Sequence, residues 1–169
     1  EDLGTYSLFE AVAPGRNRGN YSTEEKALLL KTIRQLPKIQ YKGSEGLDFN
    51  LCFQEKELGR RQILFDLNYF KYCFLKAVHN DFHEASLQDE FELLANDLLK
   101  ERSETFLYRD FQARNVILKD GEPYFIDFQG GMRGPIYYDL AAFVWQAKAS
   151  YPEDFRRELV DAYLEELRT

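Results

Sequence analysis

Tyr108-Arg109-Asp110-Phe111-Gln112-Ala113-Arg114-Asn115 is followed, after one hairpin, by Ile126-Asp127-Phe128, and this arrangement constrains the chain more than any other feature. Two carboxylates and an amide oxygen come in the order that phosphoryl transfer needs. One carboxylate orients an attacking hydroxyl and accepts its proton, while oxygen ligands hold Mg²⁺ against nucleotide phosphates. Asp110 is placed for the first role, Asn115 and Asp127 for the second. The D-x-x-x-x-N spacing sets base and amide on one turn, and the later Asp reaches the same metal from a neighbouring strand. Thr105 to Tyr108, Val116 to Leu118 and Tyr124 to Ile126 are short β-like runs, with Asp120-Gly121 as a tight turn between the last two. The competing reading is that three polar residues merely satisfy turns at strand ends. Turn chemistry does not explain the spacing and the flanking strands together.

The rest of the chain is patterned as helix. Ser22-Thr23-Glu24-Glu25 reads as a capping box, and Ala27, Leu30, Ile33 and Leu36 follow as an apolar face. A turn-rich stretch from Pro37 to Arg60, with Gly43, Gly46 and Gly59, precedes an apolar segment over 62–78. Phe70, Phe74, Leu75 and Val78 are expected to face the core from it. A third helix is expected near Ser86, burying Phe91, Leu94, Ala95, Leu98 and Leu99. Asp139 reads as the N-cap of a helix from Leu140 to Lys148 that buries Trp145. The last helix enters through Ser150 and Pro152 and buries Phe155, Leu159, Val160, Tyr163, Leu164 and Leu167. The expectation is one domain of 169 residues, α+β and mostly helical, with a short catalytic region built around a β-hairpin.

Charge and composition exclude several classes. A net charge of −7 argues against nucleic acid or an anionic membrane as the main partner. No apolar run reaches a membrane-spanning length, and the first residues show neither a basic start nor an apolar signal core. Cys52 and Cys73 are far apart and declare no disulfide framework, which fits a reducing cytoplasm and a packing role. His79 and His83 lie at a helix-to-helix connection without a further convincing ligand, so they read as structural or exposed. Gly130, Gly131 and Gly134 lack the context of a dinucleotide fingerprint and read as turn residues leading away from Asp127.

Thr105 to Ala142, and within it I-D-F-Q-G-G-x-x-G-P-I-Y-Y-D-L-A from Ile126 to Ala141, resembles the aminoglycoside phosphotransferase and choline kinase-like superfamily. The phrase looks most like that of the anomeric N-acetylmuramate/N-acetylglucosamine kinases. The resemblance implies the C-terminal lobe of a protein-kinase-like fold. It makes residues 1–4 the hinge, with Glu1 and Leu3 contacting adenine through their backbones, and sets Ile117 and Ile126 beneath the ring. Asp139 would brace the catalytic loop from the start of a helix. Two departures stand out: Tyr108 where many relatives carry His, and Gln112 where protein kinases place a phosphate-facing Lys. Arg109, Arg114 or a residue outside this chain would then supply the missing positive charge. A glycine-rich phosphate loop and a Lys–Glu pair are not found in the chain, which is therefore expected to be the C-terminal lobe of a longer protein and a poor enzyme alone.

The connector from Gln129 to Tyr138 is too short to present a peptide, so the expected acceptor is a small hydroxylated molecule held by the helical insert. Asp66, Asn68 and Tyr69 are its candidate contacts. The reading is an ATP- and Mg²⁺-dependent small-molecule kinase acting on a sugar or amino sugar. Aminoglycosides or choline-like alcohols are the rival acceptors, and a regulatory nucleotide-binding pseudokinase is the rival of another class.

Overall fold

The computed structural model describes residues 2–53, 55–100 and 104–169. Two short helices that sequence periodicity does not signal come first. Helix α1 (Leu8–Ala11) is started by a capping box between Ser7 and Glu10, and α2 (Ala13–Arg18) is stopped by Gly19 at φ 68°. Helix α3 (Thr23–Ile33) starts at Ser22 with the expected capping box to Glu25. Its inward face is Leu29, Thr32 and Ile33, whereas Ala27 is exposed and Leu30 half-buried. Glu25 explains the rotation. Its carboxylate is drawn inward, accepting from Gly15 N at 2.6 Å and Ser22 N at 2.7 Å.

Helix α4 (Leu36–Lys42) lies in the stretch expected to be turns. Pro37 sits in its first turn, where the missing N–H costs nothing and the fixed φ favours helix. Helix α5 (Arg60–Phe70) runs into a π-helical turn over Lys71–Leu75, marked by Lys76 N donating to Lys71 O at 3.0 Å. Helix α6 (Glu84–Leu98) packs on α5 and is capped by His83, which accepts from Ser86 N at 3.3 Å. Here the expected burial fails. Phe70, Phe74, Val78 and Leu94 are exposed, with the rings of Phe70 and Phe74 stacked on each other at 5.4 Å. Lys71 takes the inward position instead. The core beneath, built on Leu58, Ile63, Ala95, Leu107 and Met132, is small, and only part of an apolar segment with more than one greasy face can reach it.

Strand β1 (Phe106–Leu107) pairs antiparallel with β4 (Met132–Arg133), and β2 (Val116–Lys119) with β3 (Glu122–Phe125). The β2–β3 turn forms because Asp120 and Gly121 both take positive φ, 53° and 77°, as a two-residue turn between twisted strands requires. Helices α7 (Ile136–Val144) and α8 (Glu153–Leu167) close the chain. Trp145 falls just beyond α7 and is 54% exposed, because the helix begins four residues before the expected start and ends before it can carry the indole inward. In α8 Phe155, Leu159 and Tyr163 are buried as the spacing predicts, while Leu164 is exposed. The main core unites Leu8, Leu29, Ile33, Phe143, Phe155 and Leu159 with Tyr108 and Phe111 from the segment after β1. No helix among the described residues is long and apolar enough to cross a membrane.

One polar link runs through this core. Gln40 is fully buried; its Oε1 accepts from the Tyr163 hydroxyl at 2.7 Å and its Nε2 donates to Ile136 O at 2.9 Å. Gln40→Leu leaves the buried Tyr163 hydroxyl without its partner and removes one of the bonds to the Ile136 carbonyl, so urea denaturation should show a loss of roughly 1–3 kcal/mol. A variant as stable as the parent would show that water or repacking replaces both bonds.

Candidate active site

The loop that carries Asp110 leaves β1 under restraint from below. Tyr108 is buried with its ring edge-on to Phe111 at 5.6 Å, and Phe111 stacks on Phe125 at 5.5 Å and packs against Phe143 at 5.4 Å. Beyond Tyr108 the backbone turns through Arg109 at φ 72°. Asp139 holds that turn: Oδ2 accepts from Tyr108 N at 2.8 Å and Oδ1 from Arg109 N at 2.9 Å. The N-cap of α7 is Pro135, so Asp139 sits inside the first turn and points at the loop, not at its own helix start. The Tyr108 hydroxyl donates to the carbonyl of Ile126, tying the loop to the residue before Asp127. That is the contact made by the tyrosine that stands where many relatives carry His.

Asn115 and Asp127 are fixed from the strands. Asn115 Nδ2 donates to Asp110 O at 2.9 Å, which turns its Oδ1 the other way, and Ile126 N donates to Asn115 O at 3.0 Å. Asp127 adopts φ 70°, a conformation that costs a non-glycine residue on the order of 1–3 kcal/mol and needs a surrounding structure to hold it. Gln129 Nε2 donates to its Oδ1 at 2.7 Å. Asp110 Oδ1 lies 3.3 Å from Gln112 Nε2 and 3.7 Å from Arg114 Nη2. Of the two arginines considered for the phosphate charge, Arg114 is solvent-exposed beside Asp110, while Arg109 turns to Asp66 on α5 with Nη2–Oδ2 at 2.9 Å.

Asp110 and Asp127 open on one cavity of about 770 Å³, shared with Arg109, Phe53, Tyr137 and Tyr138 and floored by α7. Such a volume suits a small-molecule site. Of the acceptor-contact candidates, Asp66 reaches this wall through Arg109. Asn68 does not: its Nδ2 donates to Leu64 O within α5 at 2.8 Å, and Tyr69 stands 63% exposed outside the cavity lining. The lining residues missed by sequence reading include Phe53 and the Tyr137, Tyr138, Ala141, Ala142 face of α7. The helical spacing of that face was a usable signal, but Phe53 in its loop carried none.

Near the start of the chain, residues 6 and 7 run beside β2, with Leu118 N donating to Tyr6 O at 2.8 Å and Ser7 bridged to Ile117. Ile117 is buried, Leu3 half-buried and Ile126 partly exposed; Glu1 lies outside the described residues. No group of three His, Cys, Asp or Glu side chains suited to a metal occurs among the described residues.

Burial pushes the Asp139 carboxyl up to about 7, opposed by the N–H groups of Tyr108 and Arg109, by Gln40 and by the Arg109 charge. Because this folded value lies above the 3.8 of an unburied Asp, its stabilising contribution is full below 3.8 and is lost as pH rises through about 7. Asp139→Asn stays neutral throughout, so the parent should lose stability relative to the variant as pH is raised across that window. Urea titrations at several pH values would read it. A difference that moves in the parent's favour with rising pH would contradict the burial argument.

A profile of the phosphotransferase enzyme family matches residues 25–169. The chain belongs to this family. The match extends well beyond 105–142, where the sequence resemblance was concentrated, and family membership implies a kinase-like fold for the helical α+β architecture seen here. The N-acetylmuramate/N-acetylglucosamine kinase of Neisseria meningitidis serogroup B is 31% identical over 171 residues, covering 99% of this chain and 48% of the relative. Kinases of the same name from Pseudomonas putida and Pseudomonas aeruginosa are 24% identical over 152 residues and 36% over 62, covering 41% and 18% of their own lengths. This phosphotransferase-family chain thus spans about half the length, or less, of the curated relatives it matches.

Proposed function

We propose that the protein containing this chain transfers the terminal phosphoryl group of ATP to a hydroxyl of a small amino sugar, this chain forming the C-terminal, kinase-like lobe. The observation that carries the reading is that Asp110 and Asp127 open on one small-molecule-sized cavity while Asn115 is tethered to the Asp110 carbonyl. Asp110 orients the acceptor hydroxyl and takes its proton as the new O–P bond forms and the bond to the ADP oxygen breaks. Asp127 and Asn115 would hold Mg²⁺, which they suit by donor type, a carboxylate and an amide oxygen turned away from its own hydrogen bond. Held by these residues, a divalent cation would supply charge neutralisation at the phosphates. The chain's own contribution is positional: Asp139 and Tyr108 hold the loop, and the strained turn at Asp127 aims its carboxylate.

Amino sugars are favoured over aminoglycosides or choline-like alcohols because the relatives that align along most of the chain bear amino-sugar kinase names. Acceptor specificity of the full-length protein, assayed with ATP and Mg²⁺ on N-acetylglucosamine, N-acetylmuramate, kanamycin and choline, tests this. Highest kcat/KM on an N-acetylated sugar is expected. A preference for either cationic acceptor would overturn it.

A further inference from the structure

The cavity shared by Asp110 and Asp127 has two kinds of lining. The segments after β1 and β3 supply its polar groups, whereas Phe53, Leu98 and the tyrosines of α7 supply carbon. Both tyrosines use their polar ends within the protein: the Tyr137 hydroxyl donates to Leu98 O at 2.5 Å, and Tyr138 hydrogen-bonds Arg109. What they offer the cavity is ring. Phe53 differs from them in being 84% exposed. It lies between a single helical turn (Phe49–Leu51) and α5, and belongs to neither apolar core of the described residues. A lone exposed Phe is ordinary, since much of any folded surface is apolar. A free ring in the lining of a small-molecule-sized cavity is apolar area that a ligand can cover.

The combination of lining groups selects a ligand by its chemistry. A pyranose carries hydroxyls around its edge and C–H groups on its faces. The hydroxyls hydrogen-bond carboxylates, while a C–H face lies flat on an aromatic ring, its weakly positive hydrogens against the negative ring face. A quaternary ammonium also favours rings, but it is recognised by a cage of them. Here Tyr137 and Tyr138 are half-buried neighbours on one helix, and Phe53 alone among the described lining residues presents a largely exposed ring. One open face suits a flat partner.

Resting on the amino-sugar reading above, we infer that Phe53 is a specificity-determining residue for the acceptor, its ring stacking on a C–H face of the pyranose while the sugar hydroxyl lies at Asp110. Leu98 and Tyr137 extend the same apolar surface and are tied to each other by the hydroxyl–carbonyl bond. Stacking is equally strong before and during transfer, so Phe53 acts on KM and not on turnover.

In the full-length protein, Phe53→Ala should raise the KM for N-acetylglucosamine roughly 5- to 30-fold, with kcat and the KM for ATP nearly unchanged. Phe53→Trp should keep the parent's KM or improve on it, and Phe53→Leu, apolar but without a ring, should not. An unchanged KM in Phe53→Ala overturns the inference. So does rescue by leucine as complete as by tryptophan, which would reduce the contact to apolar filling. A loss of kcat or of ATP affinity as large as the rise in sugar KM would make Phe53 a structural or nucleotide-side residue and overturn it too. Each of these results leaves sugar phosphorylation by the parent intact. Failure of the parent to phosphorylate any sugar contradicts the amino-sugar reading itself and, with it, this inference. If the variants do not melt cooperatively, saturation-transfer NMR on the parent decides the matter. Saturating the aromatic protons should reach the ring protons of one face of N-acetylglucosamine more strongly than those of the other, and even transfer or none overturns the inference.

Discussion

Asp110→Asn is expected to lower the turnover number of the full-length protein by about 10²–10⁴-fold while leaving the KM for ATP nearly unchanged. The amide has the shape of the carboxylate but cannot accept the hydroxyl proton. The loop should keep its place, because Asp139 and the Tyr108 hydroxyl hold it, and Asn115 binds the main-chain carbonyl of residue 110, not its side chain. Gln112 can still donate to the remaining side-chain oxygen. An interaction used mainly in the transition state is removed without a matching loss of ground-state binding. Steady-state kinetics on the identified acceptor would separate the two. Turnover equal to the parent's would remove Asp110 from the chemistry, and a fall in ATP affinity proportional to the fall in rate would make it a nucleotide-binding or structural residue.

Asp127→Asn should abolish Mg²⁺-dependent turnover at limiting metal and leave folding intact. Asparagine is the right probe because position 127 sits at φ 70°, a region that Asn enters more readily than most side chains, so backbone strain is not confounded with ligand loss. Its amide oxygen can still accept from Gln129, but it is a weaker ligand for a hard divalent cation than a carboxylate. Activity measured across a Mg²⁺ titration should show a large rightward shift together with a lower plateau. Parent-like turnover at low Mg²⁺ would sink the assignment of Asp127 to the metal.

Local rules read well in the sequence wherever one residue pair decides the outcome. Asp120-Gly121 makes its turn, Ser22 with Glu25 starts α3, and the spacing of Phe155, Leu159 and Tyr163 turns α8 inward. The cavity's two carboxylates belong to the same category, because loop and strand ends place them. Helices α1 and α2 were illegible because they are too short for a period to register, and α4 because Pro37 punctuates a turn as readily as it starts a helix. Burial over 62–78 was misjudged for another reason. Aromatic residues occupy several faces there, and which face is covered depends on partners that periodicity does not describe.

Long-range pairings were the least legible part of the site. Nothing in the spacing joins Arg109 to Asp66, forty-three residues away, or brings Phe53 to the rim of the cavity. Asp139 shows the same limit in miniature. Spacing alone gives an acidic residue near a helix start a capping explanation; the alternative of bracing the loop came from the family resemblance, and the position of Pro135 with the two N–H bonds from the loop favours it.

The central claim is that Asp127 and Asn115 hold the metal of a bound nucleotide with Asp110 beside it. Binding Mn²⁺ with ATP to the isotope-labelled full-length protein and recording paramagnetic broadening tests it directly, because broadening reports distance from the ion. The account predicts that signals of Asn115 and Asp127 vanish first and those of Asp110 next, with no comparable effect around His79 and His83. Broadening centred elsewhere, or an Asp127→Asn protein that shows the parent's pattern at the same Mn²⁺ concentration, would contradict it.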